Sequence, residues 1–291
     1  MNILTVSKLG KEFNGETLFK HISFDINSKD KVAIIGKNGT GKSTLIKMIL
    51  GEESIDEGQV HKNNKASIGY LSQDVISKSD NSLMDEMLEV FKEVVHLEEK
   101  LHTISLKLKD HPNDKELLNR YARTEEAYLN KGGYEYHFKI NFILTKFGFT
   151  TEEHNRMIST FSGGEKTRVA FSKLLLINPE LLILDEPTNH LDINIIEWLE
   201  DYLNKYNGAV LIVTHDKYFI NKVCKKIIEI AQANRIAVYE ISIMQNVLLG
   251  ADELFLTNAV NGIRWVVAYK QKRYFNNTSK KLVDKLNESL L

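Results

Sequence analysis

Two short stretches of the sequence carry residue types and spacings suited to phosphate and metal chemistry. The first is Gly36-Lys37-Asn38-Gly39-Thr40-Gly41-Lys42-Ser43. Its glycines let the backbone curl until successive N–H groups point at phosphate oxygens, aided by the N-terminus of a following helix. Lys42 is placed to neutralise β- and γ-phosphates, and Ser43 to offer its hydroxyl to Mg²⁺. With Thr44 added, residues 36–44 make up the candidate nucleotide-binding set. The second stretch is Leu181-Leu182-Ile183-Leu184-Asp185-Glu186, four apolar residues followed by two acids. A buried strand that delivers carboxylates at its end suits a metal site, because burying charge is costly unless a cation compensates. Asp185 is expected to hold Mg²⁺ or its water, and Glu186 to orient and polarise the water that attacks in phosphoryl transfer.

These groups need elements that hold them. Val32-Ala33-Ile34-Ile35 is a short continuous apolar run of buried-strand type, and it leads into Gly36. A helical pattern follows from Lys42 through Leu45, Ile46, Ile49 and Leu50. That strand–glycine loop–helix order is the context a phosphate-binding loop requires. The first 75 residues otherwise alternate short β-type runs with turn signals, and Val210-Leu211-Ile212-Val213 reads as another buried strand. From Leu83 the period changes: Met84, Met87, Phe91, Val94, Leu97, Leu101, Ile104 and Leu108 recur at spacings of three and four. This predicts one amphipathic helix of roughly 40 Å at 1.5 Å per residue. Asp110-His111-Pro112-Asn113 signals a turn, and a second helical pattern through Leu117, Leu118, Tyr121, Ala122, Tyr128 and Leu129 ends at Gly132-Gly133. The pair reads as an antiparallel hairpin projecting from the α/β body. A helical layer packed flat against that body has the same periodicity.

Composition narrows the class. The chain has 43% hydrophobic and 26% charged residues and a formal net charge of −1. There is no global basic field to hold nucleic acid by counterion release, so sequence-specific DNA binding is not expected. Local basic patches, and an RNA or ribosomal partner, stay open. Cys224 is the sole cysteine, which precludes an intramolecular disulfide. The opening residues lack the layout of a signal peptide. No apolar run reaches membrane-spanning length, the richest (Leu174 to Leu184) being broken by Asn178, Pro179 and Glu180. No transmembrane segment and a cytoplasmic location are expected.

With these residues in view, a family resemblance can be stated. Phe161-Ser162-Gly163-Gly164-Glu165 looks like the signature loop of ATP-binding-cassette proteins, with Phe where Leu is usual. The resemblance implies that Ser162 and the amides of Gly163 and Gly164 grip the γ-phosphate of an ATP bound on an opposite cassette. It makes Gln73 the Q-loop residue that senses metal and water, Asp192 the D-loop aspartate, and His215 the switch histidine near the γ-phosphate. Phe13 sits where an aromatic stacks on adenine. The wording of Glu186-Pro187-Thr188-Asn189-His190-Leu191-Asp192, with Ser162-Gly163-Gly164-Glu165-Lys166-Thr167-Arg168, is similar to the ABC-F class. Those proteins carry two cassettes in tandem, many act at the ribosomal E site, and an arm is inserted between Gln73 and Ser162. What this implies is Mg-ATP hydrolysis that needs a second cassette, from another copy or another chain, with ribosome or tRNA as possible partners. Two other readings compete: the ATPase subunit of an ABC transporter, and a truncated or fused remnant that binds ATP with little turnover.

The resemblance covers residues 1 to about 230. Ile227-Ile228-Glu229-Ile230 and Arg235-Ile236-Ala237-Val238-Tyr239-Glu240 could close the cassette as a terminal hairpin. Beyond them, Leu248 to Ala259 and Gly262-Ile263-Arg264-Trp265-Val266 resemble the C-terminal end of class IV pyridoxal-phosphate enzymes, the branched-chain aminotransferase and aminodeoxychorismate lyase group. The upstream part of that family's cofactor pocket, including its lysine, is not in this sequence, so no PLP chemistry is expected. The chain reads as a chimera joined between about Ile228 and Glu240. The expected fold is α/β: a P-loop NTPase cassette over 1–240, with a helical-hairpin arm at about 82–131. A short incomplete α/β fragment at 241–291, not an independent domain, follows it.

Overall fold

Two long strands open the chain where the sequence suggests only short runs: β1 (Asn2–Phe13) and β2 (Glu16–Asn27). They pair antiparallel through several register shifts, which let each strand bend over the core. Next come β3 (Lys31–Ile35), α1 (Lys42–Leu50), β4 (Glu57–Lys62) and β5 (Ile68–Tyr70). β4 lies on the other side of β1, giving a three-stranded antiparallel sheet in the order β2-β1-β4. The structure is a computed structural model that describes residues 1–13, 15–36, 38–71, 79–189 and 191–230. It also describes, as backbone, residues 237–241, 255–258, 262–265, 268–269 and 272–273.

The helical region differs from the sequence reading in two places, a break in the first helix and a further helix after the hairpin. The single long helix expected from Leu83 is α2 (Leu83–Leu88), a 3₁₀ turn at Glu89–Phe91, and α3 (Lys92–Asp110). The uninterrupted part is therefore nineteen residues, about 28 Å rather than 40 Å at 1.5 Å per residue. A 3₁₀ turn brings positions three apart into line, and here Glu86 and Glu89 both reach Lys173. α4 (Lys115–Asn130) runs back along α3, its N-terminus capped by Asp114, which accepts from Glu116 N at 2.9 Å. Val94 and Ile104 are the buried residues of α3, and Tyr128 that of α4. A flat-packed layer would bury far more, so this is a projecting hairpin. Its root is tied by Glu98, whose carboxylate accepts from the hydroxyls of Tyr128 and Tyr136. α5 (Tyr136–Lys146) follows, burying Tyr136, Ile140, Ile143 and Leu144 on one face, and then α6 (Gly163–Ile177).

The remaining elements of the cassette are β6 (Leu181–Asp185), α7 (Ile193–Lys205), β7 (Ala209–Val213), α8 (Lys217–Val223), β8 (Lys226–Ile230) and β9 (Ala237–Ile241). They complete a six-stranded sheet in the order β5-β6-β7-β3-β8-β9. The pairs β5–β6, β6–β7, β7–β3 and β3–β8 are all parallel. Continuous apolar strands are what a parallel sheet buried on both faces demands. Leu182, Leu184, Val210 and Ile212 join one apolar cluster with the helices, and Leu181, Ile183, Leu211 and Val213 join another with β1, β2 and α1. Each such side chain contributes about 1.5–3 kcal/mol on burial.

The chain divides into two compact units, Met1–Glu240 and Ile241–Leu291. Within the second, β10 (Phe255–Asn258) pairs antiparallel with β11 (Gly262–Trp265), and β12 (Ala268–Tyr269) with β13 (Lys272–Arg273).

Candidate nucleotide site

Strand register brings the chemistry-bearing loops to one edge. Asp185 of β6 is level with Val213 of β7, and Val213 is level with Ile34 of β3. The glycine loop leaving β3, the carboxylates ending β6 and the Thr214-His215 turn after β7 therefore emerge together. This is the carboxyl-end edge at which open α/β sheets take ligands. Phe13, Asn38, Gly39, Gly41, Lys42, Ser43, Thr44, Asp185, Glu186 and His215 line one open cleft there, of about 480 Å³. Leu18 lines it too, although nothing in the sequence marked it. Gly36 and the buried Thr40 belong to the loop without lining the cleft. Lys37 and Gln73 lie outside the described residues.

The glycine loop is built to present donors. Gly41 stands at the N-cap of α1 with φ 91° and brings no side-chain cap of its own, and the first turn of the helix, Lys42, Ser43 and Thr44, lines the cleft. A Cβ at Gly41 would lie 2.6 Å from Leu18 Cδ2 and 2.8 Å from Phe19 Cε1, so both the backbone angle and the packing demand glycine. Lys42 is buried, and its Nζ donates to the Gly36 carbonyl at 2.8 Å, which folds the ammonium back over the loop.

Across from the loop, Ser43 Oγ donates to Asp185 Oδ2 at 3.1 Å. Burial raises the Asp185 carboxyl above its usual range, and the neighbouring Glu186 charge adds to this; the Ser43 hydrogen bond and Lys42 work the other way. A buried carboxylate that favours its protonated form is one that a cation would relieve. One hydroxyl and one carboxylate fit Mg²⁺, which takes one or two protein oxygens and fills its shell with water and phosphate oxygens. Consistent with that sparse set, no cluster of three or more His, Cys, Asp or Glu suited to a metal occurs among the described residues. Glu186 adopts φ 48°, a left-handed conformation uncommon for a glutamate. Its N–H is held by the Val213 carbonyl at 2.7 Å, and its Oε1 lies 3.5 Å from His215 Nε2. The strained elbow thus turns the carboxylate toward the histidine.

Phe13 ends β1 as an exposed ring at the cleft mouth. Lys11 Nζ lies 5.1 Å from the ring centre, and is itself buried against Glu53 at 2.9 Å and Ser54 Oγ at 2.8 Å. Sequence reasoning missed Lys11, because a lone lysine in a strand carries no signal until the 53–56 turn folds against it.

Ser162 caps α6 in a reciprocal box: its Oγ accepts from Glu165 N at 3.4 Å, and Glu165 Oε2 accepts from Ser162 N at 2.7 Å. Gly163 and Gly164 form the first turn of α6. Among the described residues lining the cleft, none comes from this loop. Asp192 caps α7 by accepting from Ile195 N at 3.0 Å.

The sequence pattern of the family described as ABC transporter matches residues 19–189, well over half the chain and from β2 through Glu186-Pro187-Thr188-Asn189. The chain belongs to the ABC transporter family. It is 39% identical over 235 residues to the putative ATP-binding protein YdiF of Bacillus subtilis, covering 80% of this chain and 37% of that protein. It is 33% identical over 233 residues to ABC transporter F family member 2 of Arabidopsis thaliana, covering 77% of this chain and 34% of that one. The chain thus spans a little over a third of the length of these curated relatives. Among solved structures, the ATP-binding subunit of an ABC transporter superposes with a TM-score of 0.60 over 82% of this chain and 90% of that one. At 19% identity that likeness bears on the fold alone. The cassette is of ABC-F type, similar to proteins described as ATP-binding. No helix among the described residues is long and apolar enough to cross a membrane.

Proposed function

We propose that the cassette hydrolyses ATP as one half of a two-cassette switch, its cleft completed by the signature loop of a second cassette. The observation that carries this reading is the division of parts. The phosphate loop, both carboxylates and His215 share one cleft, whereas Ser162, Gly163 and Gly164 cap a separate helix terminus. In this scheme residues 36–44 wrap the phosphates, and Lys42 leaves the Gly36 carbonyl for the β- and γ-oxygens. Ser43 and Asp185, with Gln73, would hold Mg²⁺, whose charge would offset that of the phosphates. Glu186 orients the attacking water, held in aim by His215 at 3.5 Å. Phe13 stacks on adenine. Because the water-orienting carboxylate is separable from binding, Glu186→Gln is expected to trap ATP and give an ATP-dependent dimer in light scattering. A monomer at saturating Mg-ATP would overturn self-pairing and leave another chain as the partner.

For the whole protein, the reading is a translation factor that works on the ribosome. The ABC-F resemblance motivates it, and the arm supplies physical support. An open groove of about 470 Å³ between α3 and α4 is lined by Lys100, Lys107, Arg120 and Arg123, with Glu99 as its acid. Such a groove suits a phosphodiester backbone. Co-sedimentation of the Glu186→Gln protein with ribosomes in Mg-ATP tests the assignment. Arg120→Glu with Arg123→Glu is expected to abolish the association, and unaltered binding would sink the arm's role. The domain reading follows the same lines: a cassette over 1–240 and a separate tail over 241–291. Matches to the relatives cover 77–80% of the chain, and the reading of the tail as a chimeric piece resembling class IV enzymes, without PLP, rests on Leu248 to Ala259 and Gly262 to Val266 alone.

A further inference from the structure

Just ahead of the signature loop, one arginine ties that loop to the residues that lead into it. Arg156 Nε donates to Thr160 Oγ1 at 3.2 Å and Nη2 to the Thr160 carbonyl at 3.0 Å. Its Nη1 donates to Glu165 Oε1 at 3.1 Å and to Glu153 Oε1 at 3.2 Å. The guanidinium carbon stands 4.1 Å from the centre of the buried Phe161 ring. The arginine is itself anchored: its carbonyl accepts from Leu83 N at 3.0 Å, and Ile158 N donates to the Asn81 carbonyl at 2.9 Å. Between those bonds Ser82 and Met157 form an antiparallel bridge.

What the fork touches matters for an anion. Glu165 keeps a full negative charge at the N-terminus of α6, where it suits the helix dipole. Its carboxyl is held down to about 2, chiefly by the Ser162 backbone N–H, with Arg156 adding to the effect. The same helix terminus, however, has to receive a phosphate in the two-cassette reading, and two anions a few ångströms apart repel. A guanidinium that holds Thr160 at two points and Glu165 at one can both fix the loop and offset the carboxylate's charge.

We propose that Arg156 is the positioning residue of the signature loop. It fixes Thr160 and Phe161 ahead of Ser162 and offsets the charge of Glu165, so that the terminus of α6 can accept the γ-phosphate held by a second cassette. This rests on the two-cassette reading above.

The test is a double-mutant cycle on the full chain. Arg156→Met is expected to lower ATPase kcat/KM roughly 10- to 100-fold, the factor for losing a charge-assisted hydrogen bond, while Mg-ADP binding to the chain's own cleft is unchanged. In a Glu165→Gln background the reciprocal cap survives without its charge, so the same arginine substitution should cost about fivefold less or better. Arg156→Lys, which keeps the charge and loses the fork, should fall between. Equal losses in both backgrounds, or full efficiency in Arg156→Met, overturn the proposal. Amide exchange at Ser162–Glu165 gives a readout independent of turnover. Arg156→Met should speed it roughly tenfold, as expected when a local brace is lost, and unaltered exchange refutes the positioning role. If the unsubstituted chain shows no turnover, the ATPase reading fails while the exchange result still decides the role of Arg156.

Discussion

Replacing Asp185 by asparagine separates what the carboxylate costs the fold from what it does for the ligand. The side chain is partly buried, and its hydroxyl neighbour Ser43 at 3.1 Å is a donor that an amide oxygen can still satisfy. Burial, followed by the Glu186 charge, raises the carboxyl above its ordinary range. A group whose pKa is raised in the folded state adds stability that is complete below its unfolded value and is lost as pH rises through the folded value. At neutral pH the charged Asp185 is therefore a net cost, and Asp185→Asn is expected to stabilise the nucleotide-free cassette by about 1 kcal/mol. For a domain of this size that is roughly 2–4 °C in Tm. The advantage should shrink on acidification, as the native carboxyl takes up its proton. Mg-ATP reverses the ranking: at a hundredfold excess over Kd it adds about 2.7 kcal/mol to the unsubstituted protein, and the Mg²⁺-dependent part of that gain should vanish in the variant. Thermal scans with ATP, in Mg²⁺ or in EDTA, measure both effects. A variant less stable than its parent without nucleotide, or one that keeps the Mg²⁺-dependent shift, refutes the reasoning.

Other substitutions probe the remaining parts of the cleft. Lys42→Ala should cut turnover by roughly 100-fold or more, as loss of a preorganised cation at developing charge does, read by phosphate release. Gly41→Ala meets both φ 91° and the 2.6 Å approach of Leu18; a loss of about 1–3 kcal/mol in chemical denaturation is expected, with weaker ATP binding. Phe13→Ala should weaken ATP by about 1–3 kcal/mol, the range for base–aromatic stacking, while leaving inorganic triphosphate binding unchanged in calorimetry.

The parts of this fold legible in the sequence are those whose signal is local. The glycine loop and the Leu181–Glu186 strand announce themselves because their chemistry sits within a few residues. That Asp185, Val213 and Ile34 are level is a fact of register, and no single stretch encodes it. The break at Glu89–Phe91 was invisible because a 3₁₀ turn keeps the three-residue spacing that an amphipathic helix also shows. What selects it is Lys173, distant in sequence, reaching both Glu86 and Glu89. α5 has no sequence start signal, although Tyr136, Ile140, Ile143 and Leu144 carry helical spacing, because Glu135 at its N-cap makes no side-chain cap and its first turn holds no acid. Leu18 lines the cleft through tertiary packing, and Lys11 is fixed beside Phe13 by Glu53 and Ser54, so no local sequence signal could have found either.

The central claim is that one chain's cleft works with another cassette's signature loop, and complementation tests it most directly. Lys42→Ala disables the phosphate loop and Ser162→Arg the signature loop, so each variant alone should be inactive. Mixed in equal amounts, half the twofold dimers would be mixed pairs holding one intact composite site, restoring about a quarter of the original turnover. Recovery near that level is the predicted result. Full inactivity of the mixture, or substantial activity of Ser162→Arg by itself, would contradict a site shared between two copies.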